Sequence, residues 1–411
     1  MSPSYEVTLS GLVYGGDAIG RLPDGRAVFV PCVLPGETVR LSIVEDKPRH
    51  VLARLEEILI PSAGRIEPRC RHFGVCGGCH YQHMPYESQI VAKTNLLVDQ
   101  LKRIGKLTDI PILPMVSSPD PWNYRNYVQF HLSSEGKLGY SKARSNEIVP
   151  IVECFLPQPP LDEIWPLLNF EAGTGIERIG LRLGDQQDIQ ITLESMSETI
   201  PEFIVEDLNA SVVHISNDSR IVLAGSDCTW LKVEGRLFRT SAGTFFQVNT
   251  QIAEKMVDKI LSEVPAVENM TILEVYSGAG LFSAFLASRA ARLVAIESSP
   301  SACEDFIYNL DEFDNVELYE APAEVVIPAL DLEPDIVLVD PPRNGLLRPV
   351  IQGIMKMIPR WKIYISCDPA TLARDSQYLV EGGYELCRVI PFDMFPQTFH
   401  IESISMWMRR S

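Results

Sequence analysis

The stretch TILEVYSGAGLF, residues 271–282, places a short apolar strand directly before two glycines and a second apolar run. Glycines at a strand-to-helix turn let the backbone approach a ligand at the helix N-terminus. The next strand, ARLVAIE, ends in Glu297, whose carboxylate can bind both hydroxyls of a ribose. The third glycine of a dinucleotide fingerprint is missing. An adenosyl ligand without phosphates, S-adenosylmethionine, therefore fits this turn better than a dinucleotide.

Two further predicted strands end in candidate site residues. DIVLVD ends at Asp340, and KIYIS ends directly before Cys367. Because parallel strands of an open α/β sheet present their carboxyl ends at one rim, Glu297, Asp340 and Cys367 are expected to converge there. Strand–helix alternation from about residue 252 onward predicts a Rossmann-like, doubly wound α/β domain over residues 251–411.

The region before residue 250 has short strands and few helical patterns. Residues 1–62 alternate apolar and polar side chains between closely spaced glycine turns, which predicts a small β-barrel. An oligonucleotide-binding-like barrel is one candidate, and any other small β domain is the alternative. Residues 63–250 are predicted to form a central, mostly-β domain. Its helix over residues 86–106 is a candidate to pack on the catalytic domain.

A cysteine-rich segment opens the central domain. Its three cysteines are spaced C-x5-C-x2-C, with two glycines before the last one: Cys70, Cys76 and Cys79. Cys154 is the candidate for a distant fourth ligand. Four thiolates suit either zinc or an iron–sulfur cluster, and the spacing alone leaves both open. Nearby histidines could instead complete a mixed zinc site: His72, His80 and His83.

The charge distribution restricts where a nucleic acid could bind. The net charge of −18 argues against a generally basic surface, but residues 1–150 carry 17 Lys/Arg and 15 Asp/Glu. Within this less acidic part, PWNYRNYVQFHL and GYSKARSN interleave basic and aromatic residues, which is typical of single-stranded or looped RNA binding. The candidate contacts are Arg125, Lys142 and Arg144, with Phe245 as a stacking residue. A solvated strand face and a core aromatic are the alternatives.

Other properties favour a cytoplasmic protein. We find neither a signal-peptide pattern nor an apolar run of membrane-spanning length, so no membrane association is expected. The nine cysteines are an odd number and are unevenly spaced, which favours metal binding or chemistry in a reducing compartment over a disulfide framework.

Taken in order, the motifs resemble those of the RNA uracil-carbon-5 methyltransferase family. The resemblance covers nearly the whole chain. Residues 5–60 resemble the TRAM domain of that family, and the cysteine spacing resembles the 4Fe-4S site of its cluster-bearing members. Five catalytic-domain motifs occur in family order: FFQVN (245–249), ILEVYSGAGLF, VDPPR (339–343), SCDPATLARD and FPQTFHIES (395–403).

The resemblance implies roles for individual residues. Cys367 matches the nucleophile and Glu402 the general base. The contacts with S-adenosylmethionine fall on six positions: Gln247, Tyr276, Gly278, Gly280, Glu297 and Asp340. The four cysteines would hold a 4Fe-4S cluster, with zinc as the alternative. Three positions depart from the family's asparagines, which affects cofactor contacts and the nucleophile's surroundings: Leu281, Ala321 and Asp368.

The expected activity is S-adenosylmethionine-dependent methylation of carbon 5 of a uridine in RNA, by a monomer. The reaction would pass through a covalent Cys367–uracil adduct, from which Glu402 removes the carbon 5 proton. Large-subunit ribosomal RNA is the expected substrate, and the T-loop of transfer RNA is the alternative. A non-catalytic RNA-binding protein is the alternative from another class, although it would need neither Cys367 nor Glu402.

Overall fold

A computed structural model describes residues 4–196, 210–217, 219–264 and 269–410. These residues form a closed barrel, a mixed central sheet, a two-stranded hairpin and a C-terminal sheet flanked by helices. The predicted fold class is confirmed. The predicted domain boundaries at residues 62 and 250 stay predictions.

The N-terminal barrel has five strands in the order β1-β2-β3-β5-β4. Alternate side chains point inward, so Val7, Leu9 and Val28 are buried while their sequence neighbours face outward or are only partly covered. The strands are β1 (Ser4–Leu12), β2 (Ala18–Arg21), β3 (Ala27–Val30), β4 (Thr38–Asp46) and β5 (His50–Ile60).

A long helix, α1 (Tyr86–Arg103), joins the cysteine-rich segment to the rest of the molecule. Its apolar face, including Leu97 and Leu101, packs into the core of the C-terminal sheet. At the same interface Lys93 Nζ lies 2.6 Å from Asp393 Oδ1, and neither side chain is exposed to solvent. Since an unpaired buried charge is costly, this ion pair ties α1 to the segment around residue 393.

The central sheet has the strand order β12-β11-β10-β9-β6-β7-β8, and β10 and β11 pair in parallel. The short helix α2 (Pro159–Ile164) adds Leu161 to the apolar core of this sheet. The strands are β6 (Tyr127–Leu132), β7 (Leu138–Ser141), β8 (Ile148–Pro150), β9 (Ile176–Leu183), β10 (Ile189–Ser195), β11 (Ala210–Ser216) and β12 (Ser219–Ala224).

A hairpin links the central sheet to the C-terminal part. It consists of β13 (Cys228–Val233) and β14 (Arg236–Ser241), paired antiparallel. Its buried side chains, such as Leu231 and Phe238, belong to the same core as those of α3 (Thr250–Glu263). The hairpin therefore shares its packing with the C-terminal sheet.

The C-terminal sheet has the order β17-β16-β15-β18-β19-β21-β20, in which β21 runs antiparallel to both neighbours. The strands are β15 (Thr271–Val275), β16 (Arg292–Glu297), β17 (Val316–Glu320), β18 (Ile336–Val339), β19 (Trp361–Ser366), β20 (Tyr384–Phe392) and β21 (Glu402–Arg409). The remaining helices are α4 (Leu281–Leu286), α5 (Pro300–Asn309), α6 (Ala323–Ala329), α7 (Arg348–Met357) and α8 (Pro369–Glu381).

The strand order of this sheet indicates the end at which a ligand could bind. β15 is flanked by β16 on one side and by β18 on the other, so the order reverses at β15. Both sheet faces are covered: Ile272 and Leu273 are each fully buried but belong to different cores. Open α/β sheets bind ligands beyond the carboxyl ends of the strands at such a reversal. None of the described helices is both long and apolar enough to cross a bilayer.

Candidate active site

The glycine turn after β15 has the backbone shape that a close ligand approach requires. Gly278 and Gly280 have φ angles of 56° and 86°, in the left-handed region that glycine tolerates best. A side chain at Gly280 would collide with Leu310 of the neighbouring helix end. The turn is therefore restricted to glycine by conformation and by packing.

Glu297 at the end of β16 is bonded to this turn. Its Oε2 accepts a hydrogen bond from the Gly278 amide at 2.9 Å. Its Oε1 accepts from the amides of Ser298 and Ser299 at 2.7 and 2.8 Å. Two carboxylate oxygens offer about four acceptor positions, so about one remains for a ligand hydroxyl. Glu297 thus has a fixed orientation and residual acceptor capacity at the sheet rim.

Two of the other predicted cofactor residues, Tyr276 and Asp340, lie at the ends of strands of the same sheet, and the third, Gln247, lies elsewhere in the sequence. Tyr276 is partly exposed, has a left-handed φ of 67°, and donates its amide to the Ile296 carbonyl at 2.9 Å. Asp340 follows β18 directly, and its amide donates to the Val275 carbonyl at 3.2 Å. Gln247 lies in the loop before α3, where the Asn126 side chain donates to its carbonyl at 3.0 Å.

Strand pairing brings Cys367 and Glu402 together. β19 and β21 are antiparallel, and Ser366 pairs with Ser403. Continuing this register by one step sets Cys367, the residue directly after β19, opposite Glu402 at the start of β21. The charge of Glu402 also acts on the Cys367 thiol, so these residues, 35 positions apart in the sequence, are neighbours in the fold.

Charge and burial around these two residues disfavour their ionised forms. Burial, with the charges of Glu402 and Asp340, raises the pKa of the Cys367 thiol to about 12, although the Arg343 guanidinium opposes this. Burial and Asp340 also raise the pKa of Glu402 well above its usual value. Burial raises the pKa of Asp340 to about 7. The free protein therefore holds protons in this pocket at neutral pH.

Glu402 has spare hydrogen-bonding capacity. Only 4% of its surface is exposed, and its Oε1 has no hydrogen-bond partner within the described part of the chain. A buried polar atom without a partner is costly unless a ligand or water completes it. A carboxyl oxygen placed beside a thiol and free to take a proton is suited to acid–base work.

Asp368 shapes the loop that carries Cys367. As N-cap of α8, its Oδ1 accepts hydrogen bonds from the amides of Ala370 and Thr371, both at 2.9 Å. Its Oδ2 accepts from the Tyr14 hydroxyl at 3.1 Å. The carboxylate is therefore bonded to the helix terminus and to the barrel.

The loop before Glu402 is held by the cysteine-rich segment and by α1. The Gln397 carbonyl accepts hydrogen bonds from the amides of His80 and Tyr81 at 2.8 and 3.0 Å. The Gln397 and Gln89 side chains meet at 3.0 Å, and the Gln397 amide donates back to Gln89. Lys93 also donates to the Phe395 carbonyl at 2.9 Å. The position of Glu402 thus depends on elements far away in sequence.

The structure brings the four predicted ligand cysteines around one cavity of about 90 Å³: Cys70, Cys76, Cys79 and Cys154. Burial raises the pKa of both Cys79 and Cys154 to about 12. In the described ranges, no three His, Cys, Asp or Glu side chains are close enough together to hold a single metal ion. The iron–sulfur and zinc predictions are therefore not confirmed.

The four predicted RNA contacts have different surroundings. Arg125 lines the cysteine cavity, and its Nε is buried with no partner among the described residues. Lys142 pairs with Glu147 at 3.1 Å, and Arg144 pairs with Asp17 of the barrel. Phe245 is 70% exposed, which suits a stacking residue. These roles stay predictions.

The prediction did not include two residues that bear on the site. Glu274 is fully buried within β15 and accepts a hydrogen bond from Ser283. Burial raises its pKa to about 8. A charged residue inside the apolar run TILEV was a signal that could have found it. Tyr14 lies in a barrel turn, and its sequence context carries no such signal.

Two family models match this architecture. The model described as tRNA (Uracil-5-)-methyltransferase matches residues 186–410. The chain belongs to this family. A TRAM domain model matches residues 4–55, which form most of the N-terminal barrel. The predicted family and enzyme class are confirmed, and the methyl donor of the family is S-adenosylmethionine.

Several relatives match this chain over almost its whole length. An uncharacterized RNA methyltransferase of Halalkalibacterium halodurans is 31% identical, over 98% of this chain and 96% of its own. One of Listeria innocua is 32% identical, over 98% and 97%. The tRNA (uracil-54, C5)-methyltransferase of Pyrococcus abyssi, solved with S-adenosyl-L-homocysteine, has a TM-score of 0.73 at 23% identity, over 98% of this chain and 100% of its own. That likeness establishes a shared fold.

Proposed function

We propose that this protein methylates carbon 5 of a uridine in RNA, with Cys367 as nucleophile and Glu402 as base. The observation that carries the proposal is the β19–β21 pairing, whose register, continued by one residue, brings the Cys367 thiol opposite the buried carboxyl of Glu402. A thiol, a proton acceptor and an adenosyl-binding turn are the parts that this reaction requires.

The chemistry follows from the weak nucleophilicity of carbon 5 of uracil. Cys367 adds to carbon 6 as the thiolate, after its proton has passed to solvent; electron density then moves to the O4 side and carbon 5 becomes nucleophilic. Bound S-adenosylmethionine would supply an electrophilic methyl group and leave as S-adenosyl-L-homocysteine. Glu402, once it has released its own resting proton, takes the proton from carbon 5, the C5–C6 double bond re-forms and the sulfur leaves as the thiolate. A raised pKa suits Glu402 to holding that proton once it has been transferred.

The residues at the rim would hold the methyl donor. Glu297 retains an acceptor position for a ribose hydroxyl, and the Gly278–Gly280 backbone leaves room for the adenosyl group. Tyr276, Asp340 and Gln247 would complete the contacts.

For the cysteine cavity we propose a 4Fe-4S cluster, with zinc as the alternative. The support is that four thiols with suitable spacing share one cavity with Tyr140 and Arg125, and four thiolates are the usual ligands of such a cluster. The protein purified without oxygen should be brown and contain iron and acid-labile sulfide. One equivalent of zinc without iron would contradict the cluster.

For the substrate we propose large-subunit ribosomal RNA, because the cysteine set resembles that of the cluster-bearing members of the family. Transfer RNA is the alternative, and the Pyrococcus abyssi protein of the same fold, a tRNA (uracil-54, C5)-methyltransferase, favours it. Either target base must leave its stack to reach Cys367, and the exposure of the Phe245 ring supports its proposed role in stacking on an unpaired base. Arg125, Lys142 and Arg144 are proposed as weaker contacts.

We also propose that the protein works as a cytoplasmic monomer. All of its cysteines are free, which suits a reducing compartment. Light scattering of the purified chain at working concentration should give the mass of one copy. A stable dimer mass would contradict this part of the proposal.

The direct test uses the full chain, labelled S-adenosylmethionine, and ribosomal and transfer RNA from cells that lack the gene. We expect label to enter one uridine, which mass spectrometry would map as 5-methyluridine. Stoichiometric RNA binding with no methyl transfer to either RNA class would instead support a non-catalytic RNA-binding protein.

A further inference from the structure

The turn between β1 and β2 reaches out of the barrel toward the nucleophile. Val13 donates its amide to the Asp17 carbonyl at 2.9 Å, which closes the turn around Tyr14. The Tyr14 hydroxyl donates to Asp368 Oδ2 at 3.1 Å, across 354 positions of sequence. Asp368 is the residue directly after Cys367. A barrel residue is therefore one hydrogen bond away from the nucleophile loop.

The same turn contacts the other elements that surround the site. The Tyr14 ring meets Phe399 edge-on, with ring centroids 5.4 Å apart, and Phe399 precedes Glu402 by three residues. Gly16 lies against His80, where an added side-chain atom would come within 3.1 Å of the ring. Asp17 pairs with Arg144 of the central domain. The turn thus lies between the nucleophile loop, the loop before Glu402 and the cysteine-rich segment.

We propose that Tyr14 is a positioning residue for Cys367, acting through its hydrogen bond to the Asp368 carboxylate. Asp368 receives two hydrogen bonds from the α8 terminus on one oxygen and one from Tyr14 on the other. The barrel thereby supplies the contact that completes this carboxylate. As a statement about catalysis this rests on the proposed function, but its effect on the thiol does not.

The electrostatic consequence has a definite sign. The titratable and charged groups that face Cys367 come from three elements: Glu402 from β21, Asp340 and Arg343 from the segment after β18, and Asp368 from the start of α8. Each of the three acidic groups disfavours the thiolate when it is ionised, and Arg343 favours it. A hydroxyl that donates to Asp368 partly neutralises one of these negative charges. Without it, Cys367 should be harder to ionise.

Tyr14 is suited to act as a donor across the working pH range. Burial raises the pKa of its hydroxyl well above the usual value, and the charge of Asp368 adds to this effect. The hydroxyl is therefore protonated at neutral pH and cannot add a negative charge beside the thiol. The hydrogen bond to Asp368 runs in one direction.

The first experiment measures alkylation of Cys367 by iodoacetamide in the full chain without RNA, at several pH values, by mass spectrometry of the peptide that contains Cys367. We expect Tyr14→Phe to slow the reaction at pH 8 by about three- to tenfold, which is less than the full effect of a hydrogen bond to a charged group because the thiol senses the loss only through Asp368. Tyr5→Phe, in β1 of the same barrel, is the matched control and should react like the wild type.

A double-mutant cycle with Asp368→Ala separates this role from general loosening of the barrel. If Tyr14 acts through Asp368, the effect of Tyr14→Phe should vanish in the Asp368→Ala background. Equal alkylation rates of Tyr14→Phe and wild type would overturn the proposal. So would a loss of the same size in both backgrounds.

Single-turnover adduct formation with methylatable RNA gives a second readout. Tyr14→Phe should slow adduct formation by the same factor while the RNA dissociation constant stays unchanged. A change confined to RNA affinity would overturn the proposal. If the wild type formed no adduct, the proposed function would fail, whereas the alkylation cycle would still decide the role of Tyr14.

Discussion

The pocket around Cys367 and Glu402 and the cavity lined by the four cysteines both contain partly buried thiols. The two regions differ in the residues that surround those thiols. Burial raises the pKa to about 12 for Cys367 in the pocket and for Cys79 and Cys154 in the cavity. In the pocket a single thiol faces the carboxyls of Glu402 and Asp340. In the cavity four cysteines line one space of about 90 Å³.

Because the thiols of both regions have similarly raised pKa values, the pKa alone does not distinguish a cysteine that reacts with a substrate from a cysteine that binds a metal. A lone thiol beside a proton acceptor can add to a substrate and be released again. Thiols that share a cavity can be ionised together by a metal, because the metal charge compensates all of them. Substitutions in each region and the pH dependence of the reaction would separate these two roles.

The largest effect should come from removing the nucleophile. Cys367→Ala should lower methyl transfer by at least about a thousandfold and abolish the covalent RNA adduct, because it removes the sulfur proposed to add to carbon 6. Denaturing gel electrophoresis of the protein with labelled RNA would show the adduct. Cys387→Ala, in β20 of the same sheet, should retain turnover and serves as the control. Retained turnover in Cys367→Ala would remove that residue as nucleophile.

Replacing the base should trap the reaction instead of preventing it. Glu402→Gln keeps the shape of the side chain but cannot accept the carbon 5 proton, so turnover should fall by about a hundredfold or more. Mass spectrometry should then find a methylated protein–RNA adduct that accumulates over time. A Glu402→Gln variant with normal turnover and no trapped adduct would assign the base elsewhere.

The pocket should also show a steep pH dependence. Since Cys367 has a raised pKa, its thiolate is scarce at neutral pH, and adduct formation should increase with pH from pH 6 to pH 8. The increase should be less than about tenfold per pH unit near pH 7, because Asp340, whose pKa burial raises to about 7, becomes charged there and disfavours the thiolate. Rapid quenching of single-turnover reactions measures this rate. The RNA dissociation constant over the same range is the control. A rate that levels off below pH 7 would show a thiol that is already ionised and would contradict the electrostatic account.

The smallest effect on the chemistry should come from the cavity. Cys79→Ser should remove bound iron and lower the thermal midpoint, because metal binding contributes to folding. Adduct formation should fall only about three- to tenfold, through the contacts of His80 and Tyr81 with Gln397. Cys228→Ser, in β13 outside the cavity, is the matched control. A loss as complete as that of Cys367→Ala would break the distinction between the two regions.

The candidate site residues at the carboxyl ends of the C-terminal strands could be predicted from sequence, because the patterns that mark these strand ends are local. The apolar strands that end at Glu297, Asp340 and Cys367 each carry their boundary in a few neighbouring residues, and parallel strands align such ends. The glycine turn is equally local, since its φ angles and its packing both require glycine. The barrel followed from strict alternation between turns.

The rest depends on contacts between distant parts of the chain. Lys93 meets Asp393, Tyr14 meets Asp368 and Gln89 meets Gln397, each across 300 or more positions. No local pattern distinguishes these residues from ordinary polar ones. The surroundings of Arg125 escaped prediction for the same reason: its neighbours in PWNYRNY suggest an exposed strand, whereas the folded chain turns it toward the cysteine cavity.

The position of β21 has a consequence for how the molecule forms. This strand follows the other described strands in sequence, yet it inserts between β19 and β20 and carries Glu402 at its first position. During synthesis, β19 would emerge from the ribosome before the partner that covers its edge. We expect the nascent catalytic domain to remain open, with apolar residues such as Ile363 uncovered, until β21 arrives. The insertion of β21 then completes the sheet and brings Glu402 next to Cys367 in a single folding event.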